Sequence, residues 1–452
     1  MVRRIILGLL KFALRVYFRR IEIIGLEHVP RKSPVIFVLN HPNALVDPVF
    51  LFCLAPRRVS FLAKAPLFRM PVLGYFIRAL DSLPVYRRKD EGEDVSRNEE
   101  TFVAARKLLA AGGTIGICPE GVSHSERRLL PIKTGAARIA LGAVSTGEVA
   151  DLKIVPAGLY YTSKTKFRSS VLLYFGKPID VTPVSLDETG NLPRAAVREL
   201  SDRIEWALRE VILEAEQEEA LQTISRAEKI FSAEGGDESR ESLAHELQLQ
   251  QRFIKAYTVL RERAPERLLR LELRMSRFEQ ELIQAGVDPD DFSPPPSPGA
   301  VLLHILIRLG VFAVLILPAT LGVVVHYPAY RLGRSLATRF SRDEEDVVST
   351  VKIISGMLFL PLTWILAAAL IYTWLNWELA LVALLLMPLL GYLAVRFFEE
   401  LDKSLGGLRA LTFFLMRRKF FVHLLAERKA IHREILALGE ETAIPSQSLS
   451  GV

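Results

Sequence analysis

Between residues 21 and 179 the chain alternates short apolar, β-branched runs with stretches whose apolar residues recur every three or four positions. The runs 34–39, 114–118 and 154–158 have strand length and stop at turn residues, whereas 99–111 and 135–143 carry helical spacing. Strands interleaved with helices predict a layered α/β domain. Residues 195–219 then read as one long amphipathic helix. Residues 220–285 are strongly charged and helix-forming, with a break at 233–237, and Leu268, Leu271, Met275, Phe278 and Leu282 make an apolar stripe suited to a packed helix pair. Pro289, Pro294, Pro295, Pro296 and Pro298 mark 287–299 as a linker.

Beyond that linker the pattern changes again. Residues 309–330, 353–375 and 379–395 are apolar enough and long enough to cross or enter a bilayer; core helices seldom come three in a row with this character. The loop 331–352 and the tail after Arg396 are rich in arginine and lysine, while Asn376, Trp377 and Glu378 contribute none. The positive-inside rule therefore makes 353–395 a hairpin with both ends cytosolic. With a cytosolic N-terminal domain, the segment containing Pro318 is then re-entrant or interfacial, unless the rule fails here. At the other end, Arg3, Arg4, Lys11, Arg15, Arg19 and Arg20 stand among apolar residues at helical spacing, which suits a helix lying in an anionic lipid surface. A secretory signal would need a longer uncharged core and a small-residue cleavage site.

Composition adds bounds. A chain of 452 residues, 50% hydrophobic, accommodates a sizeable core and a second region. The net charge of +7 is modest for this length and implies no nucleic-acid partner. Cys53 and Cys118 both lie in apolar runs and offer no disulfide framework, which fits a reducing, cytosol-facing compartment.

The candidate chemistry begins at His41, which follows the apolar run ending at Leu39 and precedes Asp47 by six residues in Asn40-His41-Pro42-Asn43-Ala44-Leu45-Val46-Asp47-Pro48. A carboxylate early in the following helix can face back to the imidazole, accept its N–H, fix the tautomer and leave the other nitrogen to take a hydroxyl proton. Taken alone, the pair equally describes a surface histidine beside a helix-capping aspartate. Three further segments follow in order. Ser82-Leu83-Pro84-Val85-Tyr86-Arg87-Arg88 ends a strand-like run in two guanidinium groups, Cys118-Pro119-Glu120-Gly121-Val122 closes the second strand, and Pro156 ends the third. Individually these read as a charged loop and ordinary turns.

As an ordered set they resemble the four motifs of the glycerolipid acyltransferase family, over roughly residues 20–210. The resemblance implies a layered α/β acyltransferase domain in which His41 is the base and Asp47 its orienting partner. It further implies that Arg87, and with it Arg88, binds the acceptor phosphate, that Asn40, Glu120 and Gly121 complete the acceptor pocket, that Lys64 and Lys133 are basic residues of the site, and that Pro156 lies in the segment shaping the acyl-thioester side. Two departures bear on acceptor identity, and the first, the spacing, resembles the fungal-type glycerol-3-phosphate/dihydroxyacetone-phosphate branch. Five residues rather than four separate His41 from Asp47, and Cys118 and Val122 replace the usual phenylalanine and threonine around Pro-Glu-Gly.

The organisation expected is a membrane-surface helix (1–21), a catalytic domain (22–210), a charged helical region (211–286), the Pro-rich linker (287–299), membrane-inserted helices (300–396) and a basic cytosolic helical tail (397–452). The expected activity is transfer of a fatty acyl group from acyl-CoA or acyl-carrier protein to glycerol 3-phosphate or dihydroxyacetone phosphate, without an acyl-enzyme, metal or organic cofactor. Acylation of 1-acylglycerol 3-phosphate, thioester hydrolysis, and a non-catalytic lipid-binding or remodelling role are the alternatives. The partners expected are the acyl donor, a phosphorylated glycerol acceptor and the lipid bilayer; the location is the inner or plasma membrane, with the catalytic domain on the cytosolic side. His124 is expected to have a surface or supporting role, and the remaining histidines lack metal-ligand spacing.

Overall fold

The computed structural model describes residues 1–452 except 89, 91, 127, 215–222, 228–229, 231–241, 288–297, 342–343 and 443–452. The chain forms two compact units, one of residues Met1–Glu214 and Leu336–Ile354, the other of Ala215–Ser335 and Ser355–Val452.

The first unit is built on an eight-stranded sheet in the order β1-β7-β6-β2-β5-β3-β4, with β8 also pairing β6. The strands are β1 (Arg20–Ile24), β2 (Val35–Leu39), β3 (Ser60–Lys64), β4 (Leu83–Val85), β5 (Thr114–Ile117), β6 (Lys153–Tyr161), β7 (Ser170–Phe175) and β8 (Ile179–Asp180). All pairings are parallel except those of β6 with β7 and with β8. Parallel strands need crossovers, and helices α1 (Val2–Tyr17), α2 (Val46–Leu54), α3 (Ala65–Arg69), α4 (Pro71–Ala79), α5 (Asn98–Ala110), α6 (Gly135–Ser145) and α7 (Arg194–Val211) cover the faces.

Strand β2 is central, and all five of its residues are buried, as a strand covered on both faces requires. Its side chains divide by alternation. Ile36 and Val38 join the core shared with α5, α6 and α7; Val35, Phe37 and Leu39 join the opposite core, with α1, α2 and β7. In α7 the stripe Val197, Leu200, Ile204, Leu208 and Val211 is buried against the first of these cores. The helix expected over 195–219 therefore stops at Val211. Ile212 turns to an extended conformation and is itself buried, so the chain leaves the sheet there.

Helix α1 ends sooner than the expected boundary, because Phe18 is extended and Arg20 enters β1. Its inner face, Ile6, Leu14 and Tyr17, is packed in the unit. A second apolar stripe, Val2, Ile5, Leu9, Phe12 and Val16, stays exposed.

In the second unit α8 (Leu243–Arg263) and α9 (Pro265–Gln284) pack with α13 (Arg418–Thr442). The stripe Leu268, Leu271, Met275, Phe278 and Leu282 is buried with Phe421, Leu424 and Ile431, and Arg274 bridges Glu427 and Glu434 at 2.5 and 2.7 Å. The expected helix pair is thus a three-helix cluster, and the tail expected to be a separate cytosolic element supplies its third member. The 233–237 break and most of the linker lie outside the described residues; the last linker proline, Pro298, opens a helix, a position proline tolerates.

Three long helices follow: α10 (Pro298–Phe340), α11 (Glu345–Trp374) and α12 (Trp377–Met416). Leu306–Phe340, Glu345–Trp374 and Trp377–Asp402 are each long and apolar enough to cross a membrane. Helix α10 runs unbroken through Pro318 and Pro328. No re-entrant turn forms at Pro318, and at about 1.5 Å per residue the helix is far longer than a hydrocarbon core of about 30 Å.

One close approach shows how tightly the first unit is assembled. A Cβ on Gly158 would lie 2.0 Å from the carbonyl oxygen of Val211. The end of α7 can therefore rest on β6 only because residue 158 has no side chain. Gly158→Ala is expected to displace α7 and destabilise the unit by about 1–3 kcal/mol, the usual cost of overpacking, read as a lowered thermal midpoint of the detergent-solubilised protein.

Candidate active site

Parallel strands all end on the same edge of a sheet, and ligand sites in such sheets gather at that edge. His41 lies just beyond the C-terminal end of β2, Glu120 beyond β5, and Arg87 beyond β4, while Lys64 closes β3 and Tyr161 closes β6. The register, which sets Leu39 opposite Ala157 and Val38 opposite both Ile117 and Pro156, carries these residues to one place.

The turn after β2 brings His41 to Asp47. Nδ1 of His41 and Oδ2 of Asp47 are 2.9 Å apart, with the carboxylate fully buried and the imidazole partly open. The backbone N–H of Asn43 donates to the same oxygen at 2.7 Å, and Val46 and Asp47 both donate their N–H groups to the Asn43 carbonyl. Ala44 takes a positive φ of 33°, so a strained residue accommodates the five-residue spacing. The hydroxyl of Tyr161 donates to Oδ1 of Asp47 at 2.6 Å. Asp47 is thus held by its own turn, by the histidine and by a strand 114 residues away.

Burial works to lower the His41 pKa, but Cys118 beside the ring and the bonded Asp47 carboxylate outweigh it and hold the pKa well above 6.5. Burial and the Asp47 charge push the Tyr161 hydroxyl well above 10, so it remains a donor. Burial likewise raises the Cys118 thiol. With Nδ1–H committed to Asp47, Nε2 is the nitrogen left to take a proton.

Glu120 is 2% exposed and wired inward. Oε1 accepts the His41 N–H at 2.9 Å, and Oε2 accepts the Leu130 N–H at 2.8 Å and meets Nε2 of His124 at 2.5 Å. The His124 N–H donates in turn to the His41 carbonyl. Glu120 therefore ties the β5 turn to the β2 turn, and His124 supports that tie. Gly121 has a φ of +70°, and a Cβ there would meet the Lys133 Nζ at 2.6 Å; the exposed Lys133 lies across it.

The Arg87 guanidinium donates from Nη1 to the Gly121 carbonyl at 2.9 Å, and from Nε and Nη2 to Asp90 at 2.8 and 2.7 Å. That bidentate grip is the geometry a phosphate takes from arginine. Arg88 is exposed. A cleft of about 470 Å³ is bordered by Lys64, Arg87, Ser123 and His124 on this edge. Asn40 stands apart from it: its amide donates to the Leu159 carbonyl and its oxygen accepts the Leu159 N–H, so it pins β2 to β6. Pro156 is buried within β6, its carbonyl accepting the Gly176 N–H.

Sequence reasoning missed Tyr161 and the placement of Cys118. A tyrosine ending a strand paired in parallel with β2 is a signal for the first, but reading it requires the register. Nothing in the local pattern sets Cys118 beside the imidazole.

Residues 20–160 match the Acyltransferase family model, and residues 224–443 match that of the glycerol-3-phosphate acyltransferase 2 C-terminal domain. The two matches, side by side in one chain, support its resemblance to the glycerolipid acyltransferases and to the fungal glycerol-3-phosphate enzymes among them. Glycerol-3-phosphate O-acyltransferase 1 of Saccharomyces cerevisiae is 25% identical, over 78% of this chain and 59% of its own length. Glycerol-3-phosphate O-acyltransferase 2 of the same yeast is 26% identical, over 59% and 37%. An uncharacterized acyltransferase of Schizosaccharomyces pombe is 23% identical, over 96% and 80%. The chain thus spans less than two thirds of the length of either Saccharomyces protein.

The wiring of Asp47 makes a signed prediction. Tyr161→Phe removes a donor that competes for the carboxylate's charge, so His41 is expected to become more basic; Asp47→Asn removes the charge, so His41 is expected to become less basic. The pH dependence of His41 carbethoxylation, followed by mass spectrometry, checks both: the half-modification pH moves up in the first variant and down in the second.

Proposed function

We propose that this chain is an O-acyltransferase that moves a fatty acyl group from a thioester, acyl-CoA or acyl-carrier protein, to a hydroxyl of glycerol 3-phosphate or dihydroxyacetone phosphate. The observation that carries the reading is the His41–Asp47 dyad at the C-terminal edge of the sheet, joined through Glu120 and His124 to a cleft lined by Lys64 and Arg87. The names of the Saccharomyces relatives point to the same acceptor.

In this reading the neutral form of His41 is the active one: its Nε2 takes the proton of the acceptor hydroxyl as that oxygen attacks the thioester carbonyl. Asp47 keeps the tautomer and stabilises the imidazolium, which then returns the proton to the departing thiolate. General-base action of this kind contributes roughly 10²–10⁴-fold in rate, and oxyanion donors from the motif turns add a few kcal/mol. The acceptor phosphate replaces Asp90 in the fork of Arg87, with Lys64 as a second cation. Glu120 and Asn40 act through the backbone they hold, because their polar atoms are already bonded.

The acyl product is insoluble in water, and the first unit carries a surface suited to lipid. Helix α1 packs against α4, whose Val72, Tyr75 and Phe76 are exposed as well, and Arg4, Lys11, Arg15 and Arg19 of the α1 region are exposed with the α1 stripe. We place this surface on the cytosolic leaflet, with the three apolar helices as the deeper anchor.

His41→Ala is expected to lower transfer at least about 100-fold while leaving the protein folded and membrane-bound, and near-normal turnover would end the mechanism. Arg87→Ala should raise KM for the phosphorylated acceptor far more than for the donor, with Arg87→Lys restoring it in part, because a point charge cannot reproduce the fork. On fractionation, high salt and alkaline wash should leave the full chain in the membrane and detergent should release it; recovery in the salt wash refutes insertion.

A further inference from the structure

The end of α10 and the first turns of α11 fold with the N-terminal unit. Residues Leu336–Ile354 belong to it, Ser349 hydrogen-bonds the Tyr17 hydroxyl at 2.8 Å, and Lys352 donates to the Thr165 carbonyl at 2.7 Å. This segment brings two carboxylates, Glu344 and Asp346, to the cleft that Lys64 and Arg87 also line. Glu344 is exposed. Asp346 is only 4% exposed, yet its side chain makes no hydrogen bond or ion pair among the described residues.

The body of Asp346 is packed by its neighbours, while its carboxylate oxygens stay at the cleft, open to a ligand that donates. The first turn of α11, where Asp346 sits, favours negative charge but leaves its lone pairs unspent. The cleft therefore offers two cations and two acceptor-only groups together. A bare phosphate would be drawn by the first pair and repelled by the second. A ligand satisfying both carries an anionic phosphate and, beside it, a hydroxyl that donates.

Resting on the acyltransferase reading above, the geometry assigns Asp346, with Glu344 at the rim, as the group that reads the non-reacting hydroxyl of the acceptor and so selects a polyol phosphate over a keto phosphate. In glycerol 3-phosphate the central carbon carries a hydroxyl, which donates to a carboxylate. In dihydroxyacetone phosphate the same carbon carries a carbonyl, and two acceptors would face each other with no proton between them. Sites built to bond a hydroxyl reject analogues lacking it by up to about 10⁴–10⁵-fold; for a cleft open to water a preference of at least about tenfold is expected.

The test uses the full-length protein in detergent with a radiolabelled acyl-CoA. kcat/KM is measured for glycerol 3-phosphate and for dihydroxyacetone phosphate in the wild type and in Asp346→Asn, Asp346→Ala and Glu344→Gln. The wild type should favour glycerol 3-phosphate at least tenfold. Asp346→Asn, which keeps the shape and adds a donor for a carbonyl, should narrow that ratio to threefold or less, and Asp346→Ala should narrow it mainly by losing glycerol 3-phosphate. Glu344→Gln should change it less. If the alanine variant fails to fold, the asparagine variant decides alone. A wild type that transfers but shows no preference, or variants that slow both acceptors equally, overturns the role of Asp346 and leaves the acyltransferase reading standing. A folded wild type that acylates neither acceptor overturns both.

Discussion

A carboxylate taken out of water costs several kcal/mol unless its oxygens are met by donors, and the architecture of the first unit follows from meeting that demand twice. Asp47 is met by the Asn43 N–H, the His41 ring and the Tyr161 hydroxyl. Glu120 is met by the N–H groups of His41 and Leu130, with His124 alongside. Between them these two carboxylates fasten the turns after β2 and β5 and the end of β6 into one body. The imidazole is the member they share: its ring bonds one carboxylate and its backbone the other.

That arrangement explains how a largely buried turn holds an imidazole in a fixed orientation. The rigid parts are the buried strands, whose residues alternate between two cores. The turns inherit their precision from the strand ends, because parallel pairing places those ends side by side. Asn40 adds to this by joining both of its polar ends to Leu159 across the β2–β6 boundary. Arg87 belongs to the same edge, fastened to the Gly121 carbonyl while its fork grips Asp90. The guanidinium is thereby kept in a bidentate geometry.

One stretch of chain, Leu336–Ile354, belongs both to the first unit and to two of the long apolar helices. The first turns of α11 pack in the N-terminal unit through Ser349 and Lys352, and the same turns deliver Asp346 to the cleft. The start of α11 thus forms part of the cleft wall.

Much of this was legible in the residues themselves. Periodicity alone distinguished the strand at Val35–Leu39 from the helix at Asn98–Ala110 and picked out three apolar helices, because burial on two faces, burial on one stripe and immersion in hydrocarbon each leave a different spacing of apolar side chains. The short interval between His41 and Asp47 made their meeting a local matter. Tertiary structure alone decided that Tyr161 donates to Asp47, that Cys118 lies beside the imidazole, that Glu120 points inward and that Asp346 lines the cleft. It also decided that the helix begun at Arg194 ends at Val211 and that α10 continues through Pro318. Local spacing reports which face of an element is apolar; strand register and the return of a distant segment are set by pairings across the fold, which that spacing does not contain.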